Sequence, residues 1–350
     1  MHANGKIDRP ILVFMNKIVV PFTILLLALS PYFLFSQEKA KPRNGDAIPT
    51  FLKRFNRSGK TYYRDFIALN KDKLGRNNTL KLGVEYELPP LVSGMSQSRN
   101  GYEPLFGKKL AAYKVQSDKL KGACFYLVSG HGGPDPGAIG RIGKAEVHED
   151  EYAYDIMLRL ARNLMMEGAQ VHIIIQDAKD GIRDEQFLSN SKRETCMGKA
   201  IPLNQVQRLK QRCDKINTLY AQTKASYHRA FFIHLDSRSK KQQTDVFFYY
   251  SAKKGDSKFL AQTLKNEFEL HYDKHQPNRG FNGTVSMRNL YVLANTAPVS
   301  AFVELGNIQN VFDQRRFILS SNRQALANWL CRGFIKDYEA AKRRSAKAKK

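Results

Sequence analysis

The sequence predicts an α/β fold: a mostly parallel sheet flanked by helices, preceded by a small α+β module. Three observations predict it. Four short apolar runs, Cys124–Ser129 (CFYLVS), Val171–Ile175 (VHIII), Ala230–Leu235 (AFFIHL) and Val299–Leu305 (VSAFVEL), are continuous rather than alternating, as strands covered on both faces are. Stretches with apolar residues at helical spacing lie between them, the pattern of a parallel sheet. The chain has 350 residues, 42% of them hydrophobic and 11% aromatic. That is enough for a domain of about 200 residues to bury a core without staples. The same composition excludes a wholly disordered polymer, and 23 Gly and 4 Cys exclude collagen and a disulfide-dense miniprotein. Lys and Arg number 57 against 32 Asp and Glu, a formal charge of +25. Such a surplus suits nucleic acid, an anionic membrane face or an acidic polymer, and does not choose among them.

The elements follow in order. Ile18 to Ser36 carry no charge; Lys17 precedes them and Gln37-Glu38-Lys39 follow. A charged start, an apolar centre and a small-residue exit make a secretory signal over residues 1–36, with cleavage after Ser36. Met15-Asn16-Lys17 makes a more usual start for such a segment. A retained membrane anchor is the alternative, but Pro21 and Pro31 interrupt the run. Export sets intracellular nucleic acid aside, so no nucleic-acid partner is expected. It favours wall polymers and anionic lipids, and it places the chain in the periplasm or cell envelope. Export also permits disulfides. Cys196 and Cys213 are near enough in sequence to bridge, yet Cys213 sits on an apolar stripe with Val206, Leu209, Ile216 and Tyr220, where a buried free thiol is equally expected.

Residues 44–90 form a small module. Gly45-Asp46, the amphipathic Ile48-Phe51-Leu52-Phe55 stretch, Leu69-Asn70, Gly83 and the closing Leu88-Pro89 resemble a LysM module, a family that binds N-acetylglucosamine-containing chains. A basic spacer domain is the alternative. Residues 91–120, polar with scattered serines, read as a linker.

The main domain spans 121–342. Tyr152, Ile156, Leu160 and Leu164 mark one helix, the Cys213 stripe a second, and Phe259, Leu260, Leu264, Phe268 and Leu270 a third. A last helix covers about Arg323 to Ala341. Asp245–Tyr250 (DVFFYY) is a further strand of undetermined direction. Residues 343–350 are a basic tail, either a tether to anionic envelope polymers or lipids or a solvated end.

In such sheets chemistry collects at the carboxyl ends of strands. The first run leads directly into Gly130-His131-Gly132-Gly133. The third carries His234 near its end, and the fourth carries Glu304. Glu149 opens the first helix and points back to the same rim. Glu146 and Glu151 are its rivals. Two imidazoles and a carboxylate make an open zinc site, with the fourth place left for water. Glu304 is then a second carboxylate that need not be a ligand. His172 and His228 read as packed or surface side chains.

Taken together, FYLVSGHGGPDPGA (125–138), Glu149-Asp150-Glu151 opening a helix, Phe232-Ile233-His234 and FVELGNIQN (302–310) resemble the zinc-dependent N-acetylmuramoyl-L-alanine amidases of amidase family 3. Arg212 and Asn217 sit where that family keeps an Arg and an Asn. The resemblance covers about 121–340. It implies Zn2+ held by His131, Glu149 and His234, with Glu304 as catalytic acid/base. It implies peptidoglycan as substrate, cut at the amide joining N-acetylmuramic acid to L-alanine. Need for an activator protein is not readable. A zinc carboxypeptidase acting on wall peptides and a non-enzymatic wall-binding protein on the same fold are the alternatives. There are departures. Val128-Ser129 stand where the family has Asp-Pro, which removes an expected contact to the first His. Ile175-Gln176 replace Thr-Arg, and Asp236 replaces the usual Asn. The stretch 177–202 is long, and its position near the rim makes it the expected lid.

Overall fold

A computed structural model describes residues 38–55, 57, 59–89, 100–236 and 242–347. The signal segment and the last three residues of the tail lie outside the described residues. Among those described, no helix is long and apolar enough to cross a membrane. The chain divides into two compact units, Met1–Val92 and Ser93–Lys350.

The first unit runs β1 (Lys39–Ala40), α1 (Ile48–Arg54), α2 (Lys60–Leu69) and β2 (Tyr86–Glu87), with β1 antiparallel to β2. Pro49 fits the first turn of α1, where its missing N–H costs nothing. Phe51 packs edge-on against Phe55, Phe66 and Tyr86, at 5.4, 5.7 and 6.2 Å between centroids. Asn70 ties α2 to β2: its Nδ2 donates to the Glu87 carbonyl (2.8 Å), and its Oδ1 accepts from the Glu87 amide (2.8 Å). The unit begins earlier than the expected residue 44, because β1 is only two residues long and carries no periodic signal.

The second unit opens with a hairpin, β3 (Asn100–Tyr102) and β4 (Ala112–Lys114). Residues 100–120 are therefore not a linker. Phe106 and Leu120 are buried in the main core, and the Ile182 amide donates to the Phe106 carbonyl (3.2 Å). Their apolar residues are scattered without period, so burial here comes from tertiary packing.

Then follow β5 (Ala123–Ser129), β6 (Ile139–Ile142), β7 (Ala145–His148), α3 (Glu149–Met166), β8 (Gln170–Ile173), β9 (Ile175–Gln176), β10 (Thr195–Cys196), β11 (Lys199–Ala200) and α4 (Gln205–Gln222). After these come β12 (Tyr227–Asp236), β13 (Phe247–Tyr250), α5 (Gly255–His275), β14 (Thr284–Met287), α6 (Tyr291–Asn295), β15 (Val299–Asn307), α7 (Val311–Ile318) and α8 (Ser320–Lys347). The six-stranded sheet has the order β14-β13-β15-β12-β5-β8. Strands β15, β12, β5 and β8 are mutually parallel, whereas β13 runs antiparallel to β15. The fold is the expected α/β one, a mostly parallel sheet flanked by helices.

Alternation along the central strands feeds two cores. Phe125, Leu127, Phe231 and Ile233 face one cluster with residues of α3, α5 and α8. Cys124, Tyr126, Val128, Ala230 and Phe232 face the other, with residues of α4 and α6. All four cysteines are free and buried, so Cys196 and Cys213 are not bridged. The order of strands reverses between β5, which leads outward to β8, and β12, on its other side. A ligand crevice is expected at the carboxyl end of that switch point.

Candidate metal centre

β5 ends at Ser129, and the chain must turn at once. His131 adopts a left-handed backbone (φ +56°), followed by Gly132 (+95°) and Gly133 (+64°). The turn is closed by reciprocal bonds between Gly132 and Asp135. Asp135 then orients the imidazole, with its Oδ2 2.9 Å from His131 Nδ1. The same oxygen accepts from Arg208 Nη2 at 2.6 Å, and the Gly137 amide donates to Oδ1 at 3.2 Å. Arg212, buried on α4, donates to the His131 carbonyl.

This directs His131 Nε2 toward Glu149 Oε1, 3.2 Å away. Glu149 is the first residue of α3 and is buried. Its Oε2 accepts from the Ala138 amide (2.9 Å) and its Oε1 from the Leu235 amide (3.1 Å). His234 Nδ1 lies 2.9 Å from Oε1. The two rings are 5.0 Å apart at 74°, and His234 stacks on Phe302 at 4.4 Å. Donor atoms of His131, Glu149 and His234 all lie within 4.8 Å of one another, a spacing one metal ion can bridge. Two glycines make room. A Cβ at Gly130 would sit 2.4 Å from the His234 ring, and one at Gly137 would sit 2.7 Å from the His131 ring.

Glu304 is the register partner of His234 across the parallel β12–β15 pair. Paired residues share a face, so Glu304 stands beside the trio rather than within it. It is buried, with Phe247 as its neighbour on β13.

Electrostatics bind the cluster together. Burial pulls His131 down, but Glu149 and Asp135 outweigh it and hold the imidazole at about 10. The hydrogen bond to His131 holds Asp135 at about 2. Burial would raise Glu149, yet the two imidazoles hold it below the usual carboxylate range. Burial leaves His234 below its ordinary value, and brings Arg212 down to about 10.

The rival carboxylates stand elsewhere. Glu146 is exposed and pairs with Arg141 (2.7 Å) and His148 (3.2 Å). Glu151 faces away from the imidazoles as expected. It is nonetheless buried, because the segment 177–202 covers that side of α3 and Arg183 pairs with it at 2.8 Å. His172 and His228 stack on Tyr126, away from the cluster. Sequence reasoning missed Asp135. The contact thought lost with Val128-Ser129 is made from four residues after the histidine. An acid between Pro134 and Pro136 in a glycine-rich turn was the available signal.

A sequence profile of the N-acetylmuramoyl-L-alanine amidase family (Amidase_3) matches residues 126–336, which hold all four groups. The chain belongs to this family. Its reaction is hydrolysis of the amide between N-acetylmuramic acid and L-alanine in peptidoglycan. The germination-specific N-acetylmuramoyl-L-alanine amidase of Bacillus subtilis (strain 168) is 23% identical over 199 residues, 57% of this chain and 73% of that protein. Among solved structures, the amidase AmiC2 of Nostoc punctiforme is 20% identical, covering 63% of this chain and 99% of that one, with a TM-score of 0.45. The CwlD amidase of Clostridioides difficile, solved in complex with the GerS lipoprotein, is 20% identical over 62% of this chain and 98% of that one, with a TM-score of 0.46.

Proposed function

We propose that this amidase is zinc-dependent, with His131, Glu149 and His234 as metal ligands and Glu304 as general acid/base. The single observation that carries the reading is the convergence of the two imidazoles and the buried carboxylate at the switch point. Nitrogen and oxygen donors in that ratio fit zinc with a position left open. When bound, zinc supplies positive charge to polarise the amide and to acidify a water.

The remaining work falls to the chain. Asp135 keeps His131 Nδ1 occupied, which leaves Nε2 for the metal and fixes the ring. The Ala138 and Leu235 amides fix the Glu149 carboxylate. Glu304 takes the proton of the attacking water at a carboxylate oxygen and delivers it to the departing L-alanine nitrogen.

Export through residues 1–36 would bring the enzyme to the periplasm or cell envelope, where peptidoglycan is. The strand–helix–helix–strand order of residues 38–89 supports a LysM-like wall-binding module there. The basic surplus would hold the chain near peptide carboxylates or anionic envelope polymers and lipids.

The test is metal analysis with a muropeptide digest, on wild type beside Glu304→Gln. Zinc in both proteins, with free stem peptides and bare glycan from wild type alone, is the expected result. Full activity of Glu304→Gln removes that residue from the mechanism. Removal of only a terminal amino acid from the stem marks a carboxypeptidase instead.

A further inference from the structure

A second group of acids adjoins the imidazole centre and plays no part in it. Asp150 and Glu151 follow Glu149 in the first turn of α3, and Glu194 comes from the segment 177–202. Their exposures are 3%, 1% and 6%, and one oxygen of each lies within 4.8 Å of the others. A common centre therefore lies within about 2.8 Å of all three, close to the roughly 2.3–2.6 Å of calcium–oxygen bonds.

The cationic groups facing them are the Arg183 guanidinium and, through space, the His131 imidazole beside Asp150. Arg183 reaches Glu151 Oε2 at 2.8 Å, but is shared with Asp180 at 3.0 Å. The other contacts are neutral amides: Gly133 to Glu194 Oε2 (2.8 Å), Ser191 to Glu151 Oε1, and Glu151 to Asp150 Oδ1 (2.9 Å). Asp150 Oδ2 is fully buried and has no hydrogen-bond partner among the described residues. Three buried carboxyl groups thus share one guanidinium in a space closed to water. A buried charge needs a partner, and a lone-pair oxygen with no donor points to a missing positive group.

We infer that Asp150, Glu151 and Glu194 bind a divalent cation of the hard, oxygen-preferring class, with Ca2+ the best match to three carboxylates and no nitrogen or sulfur donor. The ion clamps the segment 177–202 to the opening of α3. Glu194 also holds the Gly133 amide, two residues from His131, and Glu149 is next to Asp150, so the clamp braces both sides of the imidazole centre. The segment expected to act as a lid is in this account a fixed wall.

Calcium titration of the full chain tests it, after chelation and reloading with one equivalent of zinc. Calorimetry should find one Ca2+ per chain, with a rise in melting temperature on binding. Asp150→Asn and Glu194→Gln should keep zinc and lose both the heat and the rise. His131→Ala should lose zinc and still bind Ca2+. Wild type that binds none of Ca2+, Mg2+ and Mn2+ overturns the inference without any variant. So does Ca2+ binding that persists in both carboxylate variants.

Discussion

Gly130→Ala tests the construction of the site without replacing any of its reacting groups. The added methyl would lie 2.4 Å from Cε1, 2.5 Å from Nδ1 and 2.7 Å from Nε2 of His234. Ordinary contact begins near 3.4 Å, so the ring must retreat by about 1 Å. Phe302 stacks on that ring at 4.4 Å and Glu149 holds its Nδ1 at 2.9 Å, so the retreat breaks at least one of these contacts. A displacement of about 1 Å at a reacting centre costs roughly 100-fold in rate. Overpacking adds about 1–3 kcal/mol of instability. Gly130 is not left-handed, so backbone strain does not enter. Gly255→Ala is the control: nothing lies within 4 Å of its Cβ at the start of α5, and it should be neutral or stabilising by up to about 1 kcal/mol. Stem-peptide release, followed by chromatography beside zinc content and a thermal melt, reads all three effects. Gly130→Ala with wild-type turnover would refute the packing argument, and the placement of His234 with it.

Three further outcomes are expected. Asp135→Asn should weaken zinc affinity by about 10–100-fold, measured by competition with a chromophoric chelator, because the carboxylate that orients His131 is gone. Glu304→Gln should bind zinc as wild type does while turnover falls by at least about 100-fold in the muropeptide assay. In chelated protein, His131 is raised from 6.5 to about 10, so its pairing stabilises the fold fully below pH 6.5 and is lost as pH rises through about 10. The melting difference between chelated wild type and His131→Ala should shrink over that window, and a constant difference would contradict the pairing.

The sequence already contained the sheet and most of the centre. Continuous apolar runs such as VSAFVEL declare strands covered on both faces, and the chemistry at their ends follows from where parallel strands point. The placement of His131, His234 and Glu304 at strand ends was readable for that reason, and that of Glu149 from its position in the opening turn of α3. What escaped depends on contacts between distant segments. Phe106 and Leu120 lie in a polar stretch without period, and only the packed core shows that residues 100–120 belong to it. The direction of β13 rests on pairing with β15, which no local pattern encodes. Asp135 acts through a tight turn, and Glu194 meets Asp150 across more than forty positions of chain.

Helix α4 grips the first histidine's loop at two points, Arg208 on Asp135 and Arg212 on the His131 carbonyl. Farther along, Asn217 accepts from the Ala297 amide at 2.7 Å and donates to the Asn295 carbonyl at 2.9 Å. The glycine-rich loop therefore borrows part of its shape from a helix some eighty residues downstream. Transplanting that loop into another scaffold without α4 would carry over the letters of the motif and leave its posture behind.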